Sequence, residues 1–184
     1  MLIMFYEKKI DGHIEISFTS NLNDLSFKES IVSIISSARV RPHELPWYNK
    51  HNTILHHDPE NLPADLCDIA NSIGHEFFNN KFGWTINKLS PGNTVLEHTD
   101  MFDGLREKYP EFKKFIRYIL MLEDRTPGQY IEVNNQPIIN WKIGDYIIIR
   151  GTDIINGIDH DWHMATNGGT KPLYIMAISG PKLS

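Results

Sequence analysis

The sequence predicts a mainly β domain of the α+β class, and three observations lead there. From Trp84 onward, short runs of β-favouring residues recur between turn residues. The region before Trp84 holds two segments with apolar residues at helical spacing. No internal repeat, low-complexity tract or linker divides the 184 residues, enough for one domain to bury a core without disulfides. Residues 1–184 are therefore read as a single domain, with a hairpin and supporting helices over 1–83 and a β core over 84–180.

Taken in order, residues 2–8 and 13–19 are apolar-rich runs joined by Lys9-Ile10-Asp11-Gly12, whose Asp-Gly pair tolerates the positive φ of a tight reversal. They predict an opening hairpin. Ser26 and Glu29 have capping-box spacing ahead of Phe27, Ile31, Ile34 and Ile35, which predicts an amphipathic helix over 27–38. Pro42 and Pro46 place a loop next, and His56 and Asp58, just before Pro59, fall in its continuation. Pro63 suits the first turn of a second helix carrying Leu66, Ile69, Ala70, Ile73 and Phe77. Strands are expected at 84–89, 94–100, 115–122, 129–133, 137–141, 145–150, 162–166 and 172–178, a spacing that suits a sandwich or barrel. Between the second and third of these, a loop with a short helix around Glu111-Phe112-Lys113-Lys114 is placed as a lid.

The balance of 18 basic and 23 acidic residues offers no surplus to attract a phosphate backbone, so nucleic acid is disfavoured as a partner. Cys67, the sole cysteine, cannot form an internal disulfide and suits a reducing compartment. The N-terminal run is too short and lacks the basic leader of a signal peptide, and no stretch is long enough to span a bilayer. The expectation is a cytoplasmic protein with no membrane association.

In Leu96-Glu97-His98-Thr99-Asp100, residues two apart on a strand point to one face, so an imidazole and a carboxylate can converge on one ion. His163, in Asp161-Trp162-His163-Met164-Ala165, supplies a third ligand if a late strand folds back beside the early pair. Two imidazoles and one carboxylate on one face leave three open positions, the arrangement of non-haem Fe(II) oxygenases. His56 and Asp58 share the His-x-Asp spacing, but their loop setting argues for solvated residues. His160 rivals His163, which is preferred because Met164, Ala165 and Asn167 read as the start of a core strand.

The ordered segments from Trp84 to Gly180 resemble the small bacterial and phage-encoded Fe(II)/2-oxoglutarate oxygenases. They are Leu89-Ser90-Pro91-Gly92, His98-Thr99-Asp100, Arg117 to Asp124, Pro127 to Tyr130, Asn140 to Tyr146, His163 to Gly169, and Tyr174 to Gly180. The resemblance implies a double-stranded β-helix (jelly roll, cupin-like). It also implies Fe(II) held by His98, Asp100 and His163, and O₂-dependent decarboxylation of 2-oxoglutarate to succinate and CO₂, coupled to hydroxylation of a small molecule or an amino-acid side chain. A carboxylate ligand at 100 argues against halogenation, which needs a small residue there.

Relatives place an arginine for the cosubstrate's far carboxylate ten residues past the distal histidine, where this chain has Leu173. Lys171 and Arg117 are the alternatives, and only Arg117 can make a bidentate contact. Their structural readings are a solvated turn lysine and an ion pair with Glu123 or Asp124. Two other functional classes share the ligand types: a jelly-roll binding module, and a cupin-like metalloenzyme that does not use 2-oxoglutarate. Loops 41–59, 101–114 and 151–161 are expected to set specificity.

Overall fold

The computed structural model describes residues 10–29, 38–40, 54–57, 62–151 and 160–183, and within them the β-favouring runs pair into two antiparallel sheets. The strands are β1 (Gly12–His13), β2 (Phe27–Glu29), β3 (Ala38–Val40), β4 (Ile54–His57), β5 (Gly83–Leu89) and β6 (Thr94–Asp100). They continue as β7 (Phe115–Met121), β8 (Gln129–Val133), β9 (Gln136–Ile138), β10 (Asp145–Arg150), β11 (His163–Asn167) and β12 (Leu173–Pro181). One sheet has the order β1-β10-β7-β12-β5-β4-β2 and the other β3-β6-β11-β8-β9. The chain crosses between sheets from β5 to β6, β7 to β8, β9 to β10 and β11 to β12, which makes the fold a jelly roll, or double-stranded β-helix.

The crossing from β5 to β6 shows how local sequence sets this path. Asn93 N donates to Ser90 O (3.1 Å) across Pro91-Gly92, with Gly92 at φ +83. Proline then glycine at the centre is what a type II turn requires. The β8–β9 hairpin turns on Asn134 and Asn135, at φ +51 and +60, conformations that asparagine tolerates better than most residues.

Two apolar layers result. Ile119, Ile147, Ile149 and Ile175 of the seven-stranded sheet meet Val95, Ile131, Val133 and Ile138 of the other. Helix α1 (Ala64–Phe78) buries Leu66, Ala70, Ile73 and Phe78 on one face against the outer side of the same sheet, at Ile86, Tyr118, Leu120, Met176 and Ile178. Strand β12 is consequently buried on both faces along its whole length. In β7 the inward row is Phe115, Arg117, Ile119 and Met121, while Ile116, Tyr118 and Leu120 face α1. Arg117 is the one charge in that doubly covered strand.

The α1 N-terminus is tied down by Asp65. Its Oδ1 accepts from Ser20 Oγ (2.7 Å) and Leu66 N (2.9 Å), and its Oδ2 from Thr19 N (2.8 Å) and Ser20 N (3.0 Å). A second helix, α2 (Asp103–Lys108), connects β6 to β7.

Several expectations are corrected. Of the helix expected over 27–38, residues 30–37 lie outside the described residues; at its ends residues 27–29 and 38 are strand instead, because β2 pairs with β4 and β3 with β6. The region before residue 84 thus adds strands to both sheets, and α1 is its one α-helix among the described residues. His56 lies in β4 rather than in a loop, pairing with Asn87 of β5; Asp58 lies outside the described residues. The short helix is 103–108 rather than near 111–114, because Pro110 disfavours helical backbone at Tyr109, which sits at φ −132. The strand expected at 137–141 ends at Ile138. Of the opening hairpin, residues 2–8 and the loop at Pro42 and Pro46 lie outside the described residues, and Gly12–His13 pair with β10. No described helix is long and apolar enough to cross a membrane.

Hydrogen bonding, led by Ser20, lowers the Asp65 carboxyl from its ordinary 3.8 to about 2, against the opposing effect of burial. A depressed carboxyl stabilises the fold above its unfolded pKa and ceases to as pH falls through the folded value. Asp65→Asn is expected to lower the neutral-pH melting temperature by roughly 3 °C, as ~1 kcal/mol does in a domain this size. In thermal melts across pH, the deficit should shrink between pH 3.8 and about 2.

Candidate metal centre

Strands β6 and β11 pair so that His163 stands directly opposite His98; Ala165 then stands opposite Val95, so the extra residue of the irregularity lies in β6, between Val95 and His98. Opposite residues of an antiparallel pair share a face, and Asp100 follows two residues after His98 on that face. The imidazole centroids are 4.2 Å apart, and one ligand atom from each of the three residues lies within 4.8 Å of the others. All three residues are buried, at 7%, 6% and 9% exposure for His98, Asp100 and His163.

Hydrogen bonds fix which ring nitrogens are available. His98 Nδ1 donates to Leu96 O (2.8 Å) and His163 Nδ1 to Asp161 O (3.1 Å). A carbonyl only accepts, so each Nδ1 carries a hydrogen, and on a neutral ring Nε2 is then the atom with the free lone pair. Those Nε2 atoms face the Asp100 carboxylate at 3.9 Å (His98) and 3.8 Å (His163). Burial, reinforced by the neighbouring His163, pushes His98 down to about 3, so its ring is neutral at physiological pH. Burial raises the Asp100 carboxyl, but Arg117, His163 and His98 together leave it below its ordinary value, hence ionised. The two Nε2 atoms and the Asp100 carboxylate thus converge, and Asp100 Oδ2 is buried without a hydrogen bond. Such a donor set fits a divalent cation.

The cluster lies on the wall of a cavity of about 440 Å³ between the sheets, lined chiefly by Ile119, Ile131, Ile147, Ile149, Ile175 and Val95. Arg117 is the one lysine or arginine among its described lining residues. Its Nη1 lies 2.9 Å from Asp100 Oδ2, an ion pair without hydrogen-bond alignment, and its Nε donates to Ser179 Oγ (2.9 Å). The guanidinium sits 5.2 Å from the centroid of Phe102, within cation–π range. Phe102 adopts φ 58 and ψ 32, a left-handed conformation that costs a bulky residue about 1–3 kcal/mol. Its ring occupies the space beside Gly151, where a Cβ would lie 2.2 Å from it.

The structure brings His98, Asp100, His163 and Arg117 together and leaves Lys171 apart. Arg117 pairs with Asp100 rather than with Glu123 or Asp124. Lys171 is exposed in the β11–β12 turn and does not line the cavity; its carbonyl accepts from Asn167 Nδ2 (2.8 Å). Leu173 pairs with Leu89 beside the Ser90–Asn93 turn, whereas Ser179, at the other end of β12, pairs with Arg117. That strand lines the cavity from Ile175, two residues past the expected arginine position, and meets Arg117 at Ser179. His160 stays outside the cluster, edge-on to Trp162 at 5.9 Å. Phe102, Gly151 and Ser179 escaped sequence reasoning. Ser179 carries no pattern of its own, and a left-handed phenylalanine has no sequence signature.

No family model matches the chain, and no curated protein matches it. Among solved structures, it is similar to a predicted oxalate decarboxylase from Thermotoga maritima (13% identity, 89% of this chain and 99% of that one, TM-score 0.42). It is also similar to a cupin-superfamily sugar phosphate isomerase from Silicibacter pomeroyi (12% identity, 89% and 76%, TM-score 0.42). A third is an RmlC-like cupin with a double-stranded β-helix fold from Methanocaldococcus jannaschii (11%, 54% and 70%, TM-score 0.34). Likenesses this distant leave the chemistry to the chain's own residues.

Gly151→Ala is expected to destabilise the protein by about 2 kcal/mol through overpacking against Phe102. Denaturant titration in a Phe102→Ala background should show roughly half that loss or less, since the colliding ring is gone.

Proposed function

We propose that the protein is an Fe(II)- and 2-oxoglutarate-dependent oxygenase that hydroxylates a small molecule or an amino-acid side chain. One observation carries the reading: two imidazole Nε2 atoms and an ionised carboxylate converge on the wall of an apolar cavity that also holds an arginine. In the balanced reaction, 2-oxoglutarate, O₂ and R–H give succinate, CO₂ and R–OH.

His98, Asp100 and His163 would hold the iron, which when bound supplies the O₂ chemistry that couples decarboxylation to C–H oxidation. The chain's own side chains do the rest. Leu96 O and Asp161 O hold the imidazoles in the ligating tautomer. Arg117, steadied by Ser179 and Phe102, offers the cosubstrate a carboxylate partner, and its planar fork can serve Asp100 and a second carboxylate together. The isoleucine walls exclude water, which strengthens each of these contacts.

Two specific observations favour a second reading, a cupin-like metalloenzyme that does not use 2-oxoglutarate. Leu173 is buried between the sheets, and Arg117 already pairs with a ligand of the cluster.

Anaerobic titration of 2-oxoglutarate into Fe(II)-loaded protein separates the two. The expected result is a saturable visible charge-transfer band, absent in His163→Ala. Arg117→Ala should raise its half-saturation point roughly tenfold or more, and Lys171→Ala should leave it within about twofold. Bound iron with no band, and O₂ consumption indifferent to 2-oxoglutarate, would favour the second reading.

A further inference from the structure

We infer that Asp161, clamped by Arg150 and Asn134, is a positioning residue that fixes the direction in which His163 presents Nε2. The inference rests on the metal reading for what His163 does; how the residue is held is independent of it.

The Nδ1 of His98 bonds to Leu96 O within its own strand. His163 is placed differently. It is the first residue of β11, and its Nδ1 bonds to the carbonyl of Asp161, which lies outside the strand. The position of that carbonyl sets the ring's rotation and tautomer.

Two elements from different sheets hold it. From the end of β10, Arg150 donates through its backbone N (2.9 Å) and Nε (3.0 Å) to Asp161 Oδ2, and through Nη2 (2.7 Å) to Oδ1. Arg150 O accepts from Asp161 N in return (3.0 Å). From the β8–β9 turn, Asn134 Nδ2 donates to Asp161 Oδ1 (2.5 Å). Asn134 also brackets the next residue, accepting from Trp162 N at Oδ1 (3.0 Å) and donating its own N to Trp162 O (2.7 Å).

Asp161 is 4% exposed, and its carboxylate takes no part in the ligand cluster. A buried carboxylate is costly unless its partners satisfy it, and here every partner also fixes the backbone leading into His163. The clamp therefore couples the ends of both sheets to one imidazole.

The test uses variants that spare Asp161, whose removal would strand Arg150. Arg150→Gln weakens the fork, and Asn134→Gly removes the side chain while keeping the positive φ of the turn. Each is expected to weaken Co(II) binding roughly ten- to hundredfold, with Arg150→Lys recovering part of the loss. In metal-free protein, long-range ¹H–¹⁵N NMR should show the His163 Nδ1–H tautomer dominant in the wild type and mixed in Arg150→Gln and Asn134→Gly. Asp65→Asn, which breaks a comparable set of bonds outside the barrel, should lower the melting temperature and leave Co(II) affinity within about twofold. Wild-type affinity together with a wild-type tautomer in both clamp variants would overturn the inference. If the wild type itself binds no Co(II), the metal reading fails, and the tautomer readout then decides the clamp: a shift supports it and no change overturns it.

Discussion

The antiparallel pairing of β6 with β11 is the constraint on which the candidate centre depends. It sets His163 against His98 across the ladder, and the two-residue period of β6 then adds Asp100. A slip of one residue in that register would turn a ligand to the opposite face. Register is protected where one face is buried, and here β6 and β11 present Val95 and Ala165 to the same packed interior. Packing between the sheets and assembly of the three donors are thus one event.

Buried acceptors that face one another are unfavourable without positive charge between or beside them. Arg117 meets part of this requirement from the opposite sheet, and its place in the fold is as constrained as the ligands'. It is a lone charge in a strand covered by α1 on one side and the second sheet on the other. Ser179 and Phe102 hold it there, and the left-handed backbone of Phe102 is strain stored directly after the ligand strand. Gly151 and Phe102 form a complementary pair, since the ring fits only because residue 151 has no side chain.

Much of this was legible in the sequence, for identifiable reasons. β6 and β10 begin and end where alternation and turn residues place them, because Pro91-Gly92 and Gly144 punctuate the chain. His98 and Asp100 were readable as a pair because strand period alone puts them on one face. His163 is preferred to His160 because Met164, Ala165 and Asn167 read as the start of a core strand, and the resemblance strengthens that choice; no local pattern tells which late strand returns beside an early one. The ends of the segment 27–38 misled because they serve as strand partners, a tertiary demand absent from the local sequence. Leu173 and Lys171 misled differently. Counting ten residues from His163 ignores the length of the β11–β12 turn, and the strand lines the cavity from Ile175 and meets Arg117 at Ser179.

The most direct measurement is an anomalous-difference map from crystals grown anaerobically with Fe(II). The account predicts one peak at coordination distance, about 2.0–2.2 Å, from His98 Nε2, His163 Nε2 and an Asp100 carboxylate oxygen. Iron bound elsewhere in the molecule, or none bound with these side chains placed as described, would contradict it.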